Sequence, residues 1–106
     1  MSEFRLEDLA AIIRERTASN GEKSYTRSLL DAGMGRIAKK FGEESVEAVI
    51  AAMQGDRGAL ISESADVFYH LLVMLQAADI ALPDVMEELR RRTFKSGIEE
   101  KMSRGS

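Results

Sequence analysis

The sequence contains no cysteine and no tryptophan, and it has one proline (Pro83) and one histidine (His70) among its 106 residues. Without cysteine, the chain can form no disulfide, no thiolate metal site and no cysteine nucleophile. Its 15 basic and 18 acidic residues leave a net charge of −3. That balance argues against a dedicated nucleic-acid-binding protein, because such domains are usually basic. The N-terminal residues also lack the basic stretch and apolar run of a secretory signal, so we expect a cytoplasmic protein.

Long apolar runs are missing as well. The most apolar stretch, from Val67 to Leu75, is interrupted by Tyr69 and His70, and it is too short to span a bilayer. We therefore expect no membrane association. A chain of this length forms a single domain, here residues 1–106. Because so small a domain buries only about 60–70% of its surface on folding, pairing with a second copy is favoured.

The residues that are abundant favour helices throughout the chain, and no strand-like alternation is found. Capping signals predict a helix over 3–16 that Ser2 caps, and a short helix from Thr26 to Ala32. They also predict two long helices, over 35–53 and 57–78, which Gly55 and Asp56 join. A last helix is predicted to begin at Pro83. Residues 95–106 are polar, and we expect a partner or ligand to order them. The predicted fold class is all-α, a small helical bundle with two long antiparallel helices.

An apolar surplus predicts that dimerisation completes this bundle. The first long helix carries apolar side chains away from its acidic residues, namely Val46, Val49, Ile50 and Met53. The second long helix is apolar nearly all round, and such a helix is normally buried on every side. A few short segments cannot cover both helices, so we expect a homodimer or a higher homo-oligomer.

Carboxylates interrupt the apolar faces of both long helices. On the first, Glu44 falls within an arc of roughly 60° that also holds Ile37 and Phe41, and Glu47 lies one turn further on the same side. On the second, Glu63 and Asp66 stand three residues apart. An antiparallel hairpin can bring the two acidic pairs together.

Four converging acids cannot all stay ionised without cations. Acidic pairs at this spacing are ordinarily solvated surface residues, but two pairs that each intrude on an apolar face favour a metal site. All-oxygen ligands select Mg²⁺ or Mn²⁺. A di-iron bundle is disfavoured because it uses Glu-x-x-His pairs, whereas His70 stands seven residues after Glu63 and four after Asp66.

The acidic pattern resembles the signature of the MazG-like all-α NTP pyrophosphohydrolases. It consists of E-E-x-x-E at residues 43–47 followed by E-x-x-D at residues 63–66. Four longer segments resemble one branch of that superfamily, the phosphoribosyl-ATP pyrophosphohydrolases: SYTRSLL (24–30), KKFGEESVEAVIAA (39–52), ESADVFYHLLVML (63–75) and RRTFKSGIEEKMSR (91–104). The resemblance covers nearly the whole chain.

This resemblance implies the second step of L-histidine biosynthesis, in which phosphoribosyl-ATP and water give phosphoribosyl-AMP and pyrophosphate. It implies Mg²⁺, with Mn²⁺ as a substitute, bound by Glu44, Glu47, Glu63 and Asp66. Glu43 is implied as a fifth catalytic residue that orients a ligand or accepts the proton of the attacking water. A solvated partner of Lys39 or Lys40 is the alternative role for Glu43. The chain has no room for a fused cyclohydrolase, so a functional link to a separate phosphoribosyl-AMP cyclohydrolase is expected.

Phosphate charge that the metal does not neutralise is expected to be met by Arg and Lys side chains and by backbone N–H groups of the Ser96–Gly97 turn. Tyr25 and Thr26 are expected instead at the second ribose or the base. The candidate substrate-binding residues are Tyr25, Thr26, Arg36, Lys39, Lys40, Arg92, Lys95, Ser96, Gly97 and Lys101. An ordinary solvated surface explains any one of the cations individually, and it is the more frequent role for such residues. His70 is expected to be a hydrogen-bonded core residue that holds Asp66, rather than a metal ligand.

Two other functions remain open at this point. The first is a house-cleaning pyrophosphohydrolase that uses the same acidic residues on non-canonical or surplus nucleoside triphosphates. The second is a helical dimerisation module without catalysis, whose acidic residues are only solvated.

Overall fold

A computed structural model of the chain describes residues 3–18 and 24–94. These residues form five helices: α1 (Leu6–Ala18), α2 (Tyr25–Ala32), α3 (Met34–Gln54), α4 (Arg57–Ala77) and α5 (Leu82–Thr93). The two described ranges contain no strand, which confirms the predicted all-α class. The assignment of residues 1–106 to one domain stays a prediction. The proposed cap Ser2 and the polar segment 95–106 lie outside the described residues.

The two long helices form a tight hairpin, as the capping signals predicted. Gly55 ends α3 in the left-handed conformation (φ 69°), and its N–H contacts the carbonyls of Ala51 and Ala52. Asp56 then caps α4, accepting a hydrogen bond from the N–H of Ala59 at 3.0 Å. Because only two residues join the helices and the helices pack along each other, they run antiparallel. This hairpin places the acidic residues of α3 opposite those of α4.

The starts of the two short N-terminal helices differ from prediction. Ser24, not Thr26, caps α2 by accepting a hydrogen bond from the N–H of Arg27 at 3.0 Å. Thr26 is instead fully buried, and its hydroxyl shares a hydrogen bond with that of Tyr69. Helix α1 begins at Leu6 rather than residue 3, because the Asp8 carboxylate accepts a hydrogen bond from the N–H of Arg5 and so completes the first turn there.

The core lies where α1, α2 and the start of α5 meet the α3–α4 hairpin. Its buried apolar side chains are Ile13, Leu29, Ile37, Leu72, Val73 and Leu82. Pro83 lies in the first turn of α5, as expected. The core is therefore concentrated at one end of the hairpin, and the other end of α3 and α4 is left largely uncovered.

We expect Ile37→Ala to lower the free energy of unfolding by about 2–4 kcal/mol, the usual cost of truncating a buried isoleucine. Ile37 is completely inaccessible to solvent and packs in the core cluster. Urea denaturation followed by circular dichroism measures the effect. As a matched control, Ile80→Ala truncates an isoleucine that is 43% exposed and lies between α4 and α5. A loss below about 1 kcal/mol for Ile37→Ala would contradict the position given to this side chain.

Helix α4 is, by length and composition alone, apolar enough to cross a membrane. It nevertheless carries Glu63 and Asp66 near its middle, and it buries His70, Leu72 and Val73 in the protein core. A core helix of a soluble protein passes the same test, so this finding is weak evidence for a membrane span.

Candidate metal centre

Three carboxylates from the two long helices converge at the centre of the hairpin. Glu44 on α3 and both Glu63 and Asp66 on α4 each present one oxygen, and these oxygens lie within 4.8 Å of one another. The i,i+3 spacing places Glu63 and Asp66 on the same side of α4, and the hairpin supplies Glu44 from the facing helix. The structure therefore brings together three of the four predicted metal ligands.

The electrostatics of this cluster are unfavourable without a cation. The pKa of Glu44 is raised from 4.5 to about 7, mainly because its carboxyl group is partly removed from water. The nearby negative charges of Glu47, Asp66 and Glu63 raise the pKa further, and Glu63 adds a side-chain hydrogen bond that favours the protonated form. A cation within the cluster would reverse these effects by stabilising all the ionised carboxylates.

Glu47, the fourth predicted ligand, lies one turn beyond Glu44 on α3 and is exposed. It lines two open depressions that flank the cluster. One is about 630 Å³ and includes Lys39, Lys40 and Glu44, and the other is about 270 Å³ and includes Glu63. Glu47 thus stands between the two depressions, close enough to Glu44 to raise its pKa. Its role as a ligand stays a prediction.

Two of the three basic residues predicted on α3 lie at the larger depression. Lys39 and Lys40 line it together with Glu43. Lys40 forms a long ion pair with Glu43 at 3.8 Å, an exposed contact of the kind that contributes little stability. The pair fits the solvated role considered for Glu43, and it leaves the catalytic role untested. Arg36 is exposed one turn before Lys40.

The remaining predicted binding residues are divided between α2 and the C-terminal part of the chain. Arg92 contacts Glu88 on its own helix at 2.9 Å. Lys95, Ser96, Gly97 and Lys101 lie outside the described residues. Tyr25 and Thr26 lie in the first turn of α2 and contact α4, because Tyr25 bonds to His70 and Thr26 to Tyr69.

His70 is a buried core residue, as predicted, and it is not one of the three converging groups. Its Nδ1 lies 2.8 Å from the backbone carbonyl of Asp66, so it contacts the main chain of Asp66 rather than the carboxylate. Sequence reasoning missed the 3.0 Å contact between His70 Nε2 and the hydroxyl of Tyr25. No sequence signal could have found it, because 45 residues separate the two partners and no pattern links them.

The donor set fits a hard divalent cation. The three converging groups supply only carboxylate oxygens, which are the ligands that Mg²⁺ and Mn²⁺ prefer. The raised pKa of Glu44 shows that the site favours added positive charge. The fold and the cluster thus define an all-α protein with a candidate divalent-metal centre inside a helical hairpin.

Comparison with known proteins makes this class more specific. Residues 6–93 match the family model described as phosphoribosyl-ATP pyrophosphohydrolase. The chain is 57% identical over 104 residues to the phosphoribosyl-ATP pyrophosphatase of Methylobacterium nodulans, and the aligned residues make up 98% of this chain and 97% of that protein. It is 56% identical over 104 residues to phosphoribosyl-ATP pyrophosphatase 1 of Rhodopseudomonas palustris, with the same coverage. The Rhizobium johnstonii phosphoribosyl-ATP pyrophosphatase is 53% identical over 106 residues, 100% of this chain and 99% of that protein.

The chain therefore belongs to the phosphoribosyl-ATP pyrophosphohydrolase family. This confirms the resemblance drawn from the acidic pattern and its flanking segments.

Proposed function

We propose that this chain hydrolyses phosphoribosyl-ATP to phosphoribosyl-AMP and pyrophosphate, the second step of L-histidine biosynthesis. The observation that carries the proposal is the convergence of the Glu44, Glu63 and Asp66 oxygens within 4.8 Å, in a chain that matches the family over residues 6–93. The cytoplasm, where such a soluble biosynthetic enzyme would act, is the proposed location.

Glu44, Glu63 and Asp66, together with Glu47, are the residues proposed to hold Mg²⁺. The ion would supply neutralisation of phosphate charge and a lowered pKa for bound water. Without a cation, the triphosphate would meet several like charges at short range and would be repelled. The carboxylates can therefore contribute to substrate binding only when a divalent ion is bound to them, so the ion is obligatory in this proposal.

The covalent change is a single displacement at phosphorus. The oxygen of water forms a bond to phosphorus while the bridging P–O bond of the α–β anhydride breaks, and pyrophosphate leaves. Glu43 lies beside the larger depression, and its carboxylate is proposed to take up the proton of the water or to orient a ligand. Lys39 and Lys40 line the same depression and are proposed to meet phosphate oxygens, as are Arg36, Arg92 and the cations of residues 95–101.

The test of this function is pyrophosphate release from phosphoribosyl-ATP beside ATP, dATP, dUTP and ITP, with Mg²⁺ and with chelator. We expect kcat/KM for phosphoribosyl-ATP to exceed that of every other triphosphate by about 100-fold or more, because only it offers the second ribose phosphate. Release must stop when Mg²⁺ is removed. Preference for a damaged or surplus triphosphate would assign the chain to the house-cleaning alternative.

A second copy of this chain is the proposed partner of the uncovered faces of α3 and α4. Apolar side chains there are strongly exposed, including Val49 (61%), Met53 (83%) and Ile61 (62%). An apolar groove of about 580 Å³ adjoins them where the hairpin turns, lined by Leu60, Ile61 and Phe68 among others. Contiguous exposed apolar surface of this kind marks an interaction site. A homodimer or higher homo-oligomer would bury it.

We expect Ile61→Asp to convert the oligomer to a monomer, because each carboxylate buried without a partner at an interface is strongly unfavourable. Sedimentation velocity at micromolar concentration measures the change. Leu89→Asp is the matched control, since Leu89 is also exposed (49%) but lies on α5. A wild-type protein that sediments as a monomer would contradict the proposed partner, and so would an Ile61→Asp variant that stays oligomeric.

A functional link to a separate phosphoribosyl-AMP cyclohydrolase, which would consume the product, also stays a proposal.

A further inference from the structure

Three rings form a cluster where the start of α2 meets α4. The ring centroids of Tyr25 and Tyr69 lie 6.0 Å apart, and both rings meet His70 edge-on, at 5.8 Å and 5.2 Å. His70 is only 4% exposed, whereas Tyr25 is 51% exposed. The cluster therefore connects the buried His70, one turn beyond Asp66, with a tyrosine that is half exposed to solvent.

The hydrogen-bond partners fix the position of the proton on His70. Its Nδ1 lies 2.8 Å from the carbonyl oxygen of Asp66, and a carbonyl can only accept, so Nδ1 must carry a proton. In the neutral ring, Nε2 then holds a lone pair and no proton. Nε2 lies 3.0 Å from the Tyr25 hydroxyl. Tyr25 therefore donates its only hydroxyl proton to His70.

This arrangement limits what the Tyr25 oxygen can recognise. With its proton engaged by His70, the oxygen retains only acceptor capacity. Phosphate oxygens are acceptors too, so they are a poor match for it. Sugar hydroxyls and base N–H groups are donors and match it well. His70 follows Asp66 by four residues, about 6 Å along α4, which places this acceptor near the metal centre.

We propose that Tyr25 accepts a hydrogen bond from a neutral donor of the nucleotide substrate, a ribose hydroxyl or a base N–H, and that His70 is the positioning residue that makes Tyr25 an acceptor. This inference rests on the proposed function, because it assigns a specificity contact within the same site. In this proposal the metal and the basic side chains bind the phosphates of the substrate.

The proton position can be tested without activity. The chain has one histidine, so the ring nitrogens of untagged, ¹⁵N-labelled protein give unambiguous NMR signals. At a pH of about 8, we expect a protonated Nδ1 and an unprotonated, hydrogen-bonded Nε2. Tyr25→Phe should shift the Nε2 signal towards that of a free nitrogen. Tyr69→Phe, which removes the neighbouring hydroxyl that pairs with Thr26, should leave it in place. A protonated Nε2 in the neutral ring would overturn the inference.

The specificity contact is tested by kinetics. For Tyr25→Phe we expect KM for phosphoribosyl-ATP to rise about 3- to 10-fold, the effect of losing one neutral hydrogen bond, with kcat and the Mg²⁺ dependence little changed. Competitive inhibition by pyrophosphate, which offers no such donor, should be unchanged. An unchanged KM, or an equal weakening of pyrophosphate inhibition, would overturn the proposal.

A phosphoribosyl-ATP analogue with 2′-deoxyribose on the triphosphate side then distinguishes the donors. If that hydroxyl is the donor, Tyr25→Phe has no further effect on the analogue. If the donor is on the other ribose or on the base, the effect persists. The first outcome identifies the 2′-hydroxyl as the donor, and the second excludes that hydroxyl and leaves the other hydroxyls and the base N–H groups as donors.

Two His70 variants separate positioning from a merely structural role. His70→Gln offers an amide oxygen near the Nε2 position and can still accept the Tyr25 proton. The shorter side chain of His70→Asn can place its amide N–H near the Nδ1 position, but it offers no acceptor at the Nε2 position. We expect KM in His70→Asn to rise as in Tyr25→Phe, the double variant to be no worse, and His70→Gln to be partly rescued. Additive effects, or a Gln variant no better than Asn, would contradict the positioning role.

Discussion

Replacing Glu63 by Gln is expected to lower Mg²⁺-dependent pyrophosphate release from phosphoribosyl-ATP by at least about 100-fold, because it removes a charged ligand from the proposed metal centre. The substitution keeps the size and most hydrogen-bonding capacity of the side chain. Glu63 is half-buried and faces Glu44 and Asp66, and its negative charge contributes to the raised pKa of Glu44. The variant should therefore fold at least as well as the wild-type protein when no metal is present.

Glu15→Gln is the matched control, because Glu15 is an exposed glutamate on α1. It makes the same change of net charge and should leave kcat/KM within about twofold of wild type. The comparison separates loss of a ligand from loss of one general negative charge. A Glu63→Gln variant that folds and retains more than about a tenth of wild-type activity would remove Glu63 from the metal centre.

The stability of the folded protein depends on pH, and the sign of that dependence follows from Glu44. The pKa of this group is about 7 in the folded protein and near 4.5 in the unfolded chain. The folded state therefore holds the proton more tightly, and stability falls as pH rises from about 4.5 through about 7. Glu44→Gln removes that penalty. Without metal at pH 8, we expect the variant to melt roughly 4–8 °C above wild type, which corresponds to about 1 kcal/mol in a domain of this size.

Added Mg²⁺ should reverse the order. The ion binds the ionised carboxylates, so the stabilisation it gives to wild type should grow from pH 5 to pH 8 and reach about 2.7 kcal/mol at 100 times its Kd. Glu44→Gln should gain much less. Differential scanning fluorimetry with Mg²⁺ and with chelator at each pH measures both effects. Thermal stability that does not respond to Mg²⁺ at any pH would favour the non-catalytic dimerisation module.

Sequence reasoning predicted the hairpin because its signals are local. Gly55 and Asp56 end one helix and cap the next by contacts within a few residues, and the structure confirms both. The start of α2 was predicted wrongly because Ser24 and Thr26 are both competent N-caps. The choice depends on Tyr69, whose hydroxyl bonds to Thr26 across 43 residues. Tertiary contacts of this kind leave no trace in a single sequence.

The candidate site was predicted to a similar extent. The spacing of Glu44, Glu63 and Asp66 on two apolar faces indicated convergence, and the hairpin brings these residues together. Spacing alone placed Glu47 beside Glu44 but could not show that it is exposed on the rim of the cluster. Likewise, the i,i+4 relation of Asp66 and His70 predicted a contact between them, but not that His70 contacts the backbone carbonyl of Asp66. It also gave no sign that Nε2 of His70 contacts the hydroxyl of Tyr25.

Anomalous diffraction from crystals of the wild-type protein soaked in Mn²⁺ tests directly whether the converging carboxylates bind the catalytic metal, once Mn²⁺ has been shown to support pyrophosphate release. We predict a Mn²⁺ peak within about 2.5 Å of carboxylate oxygens of Glu44, Glu63 and Asp66, and no such peak in crystals of Glu63→Gln. Mn²⁺ bound only elsewhere in an active, soaked crystal would contradict the claim that these carboxylates form the metal centre.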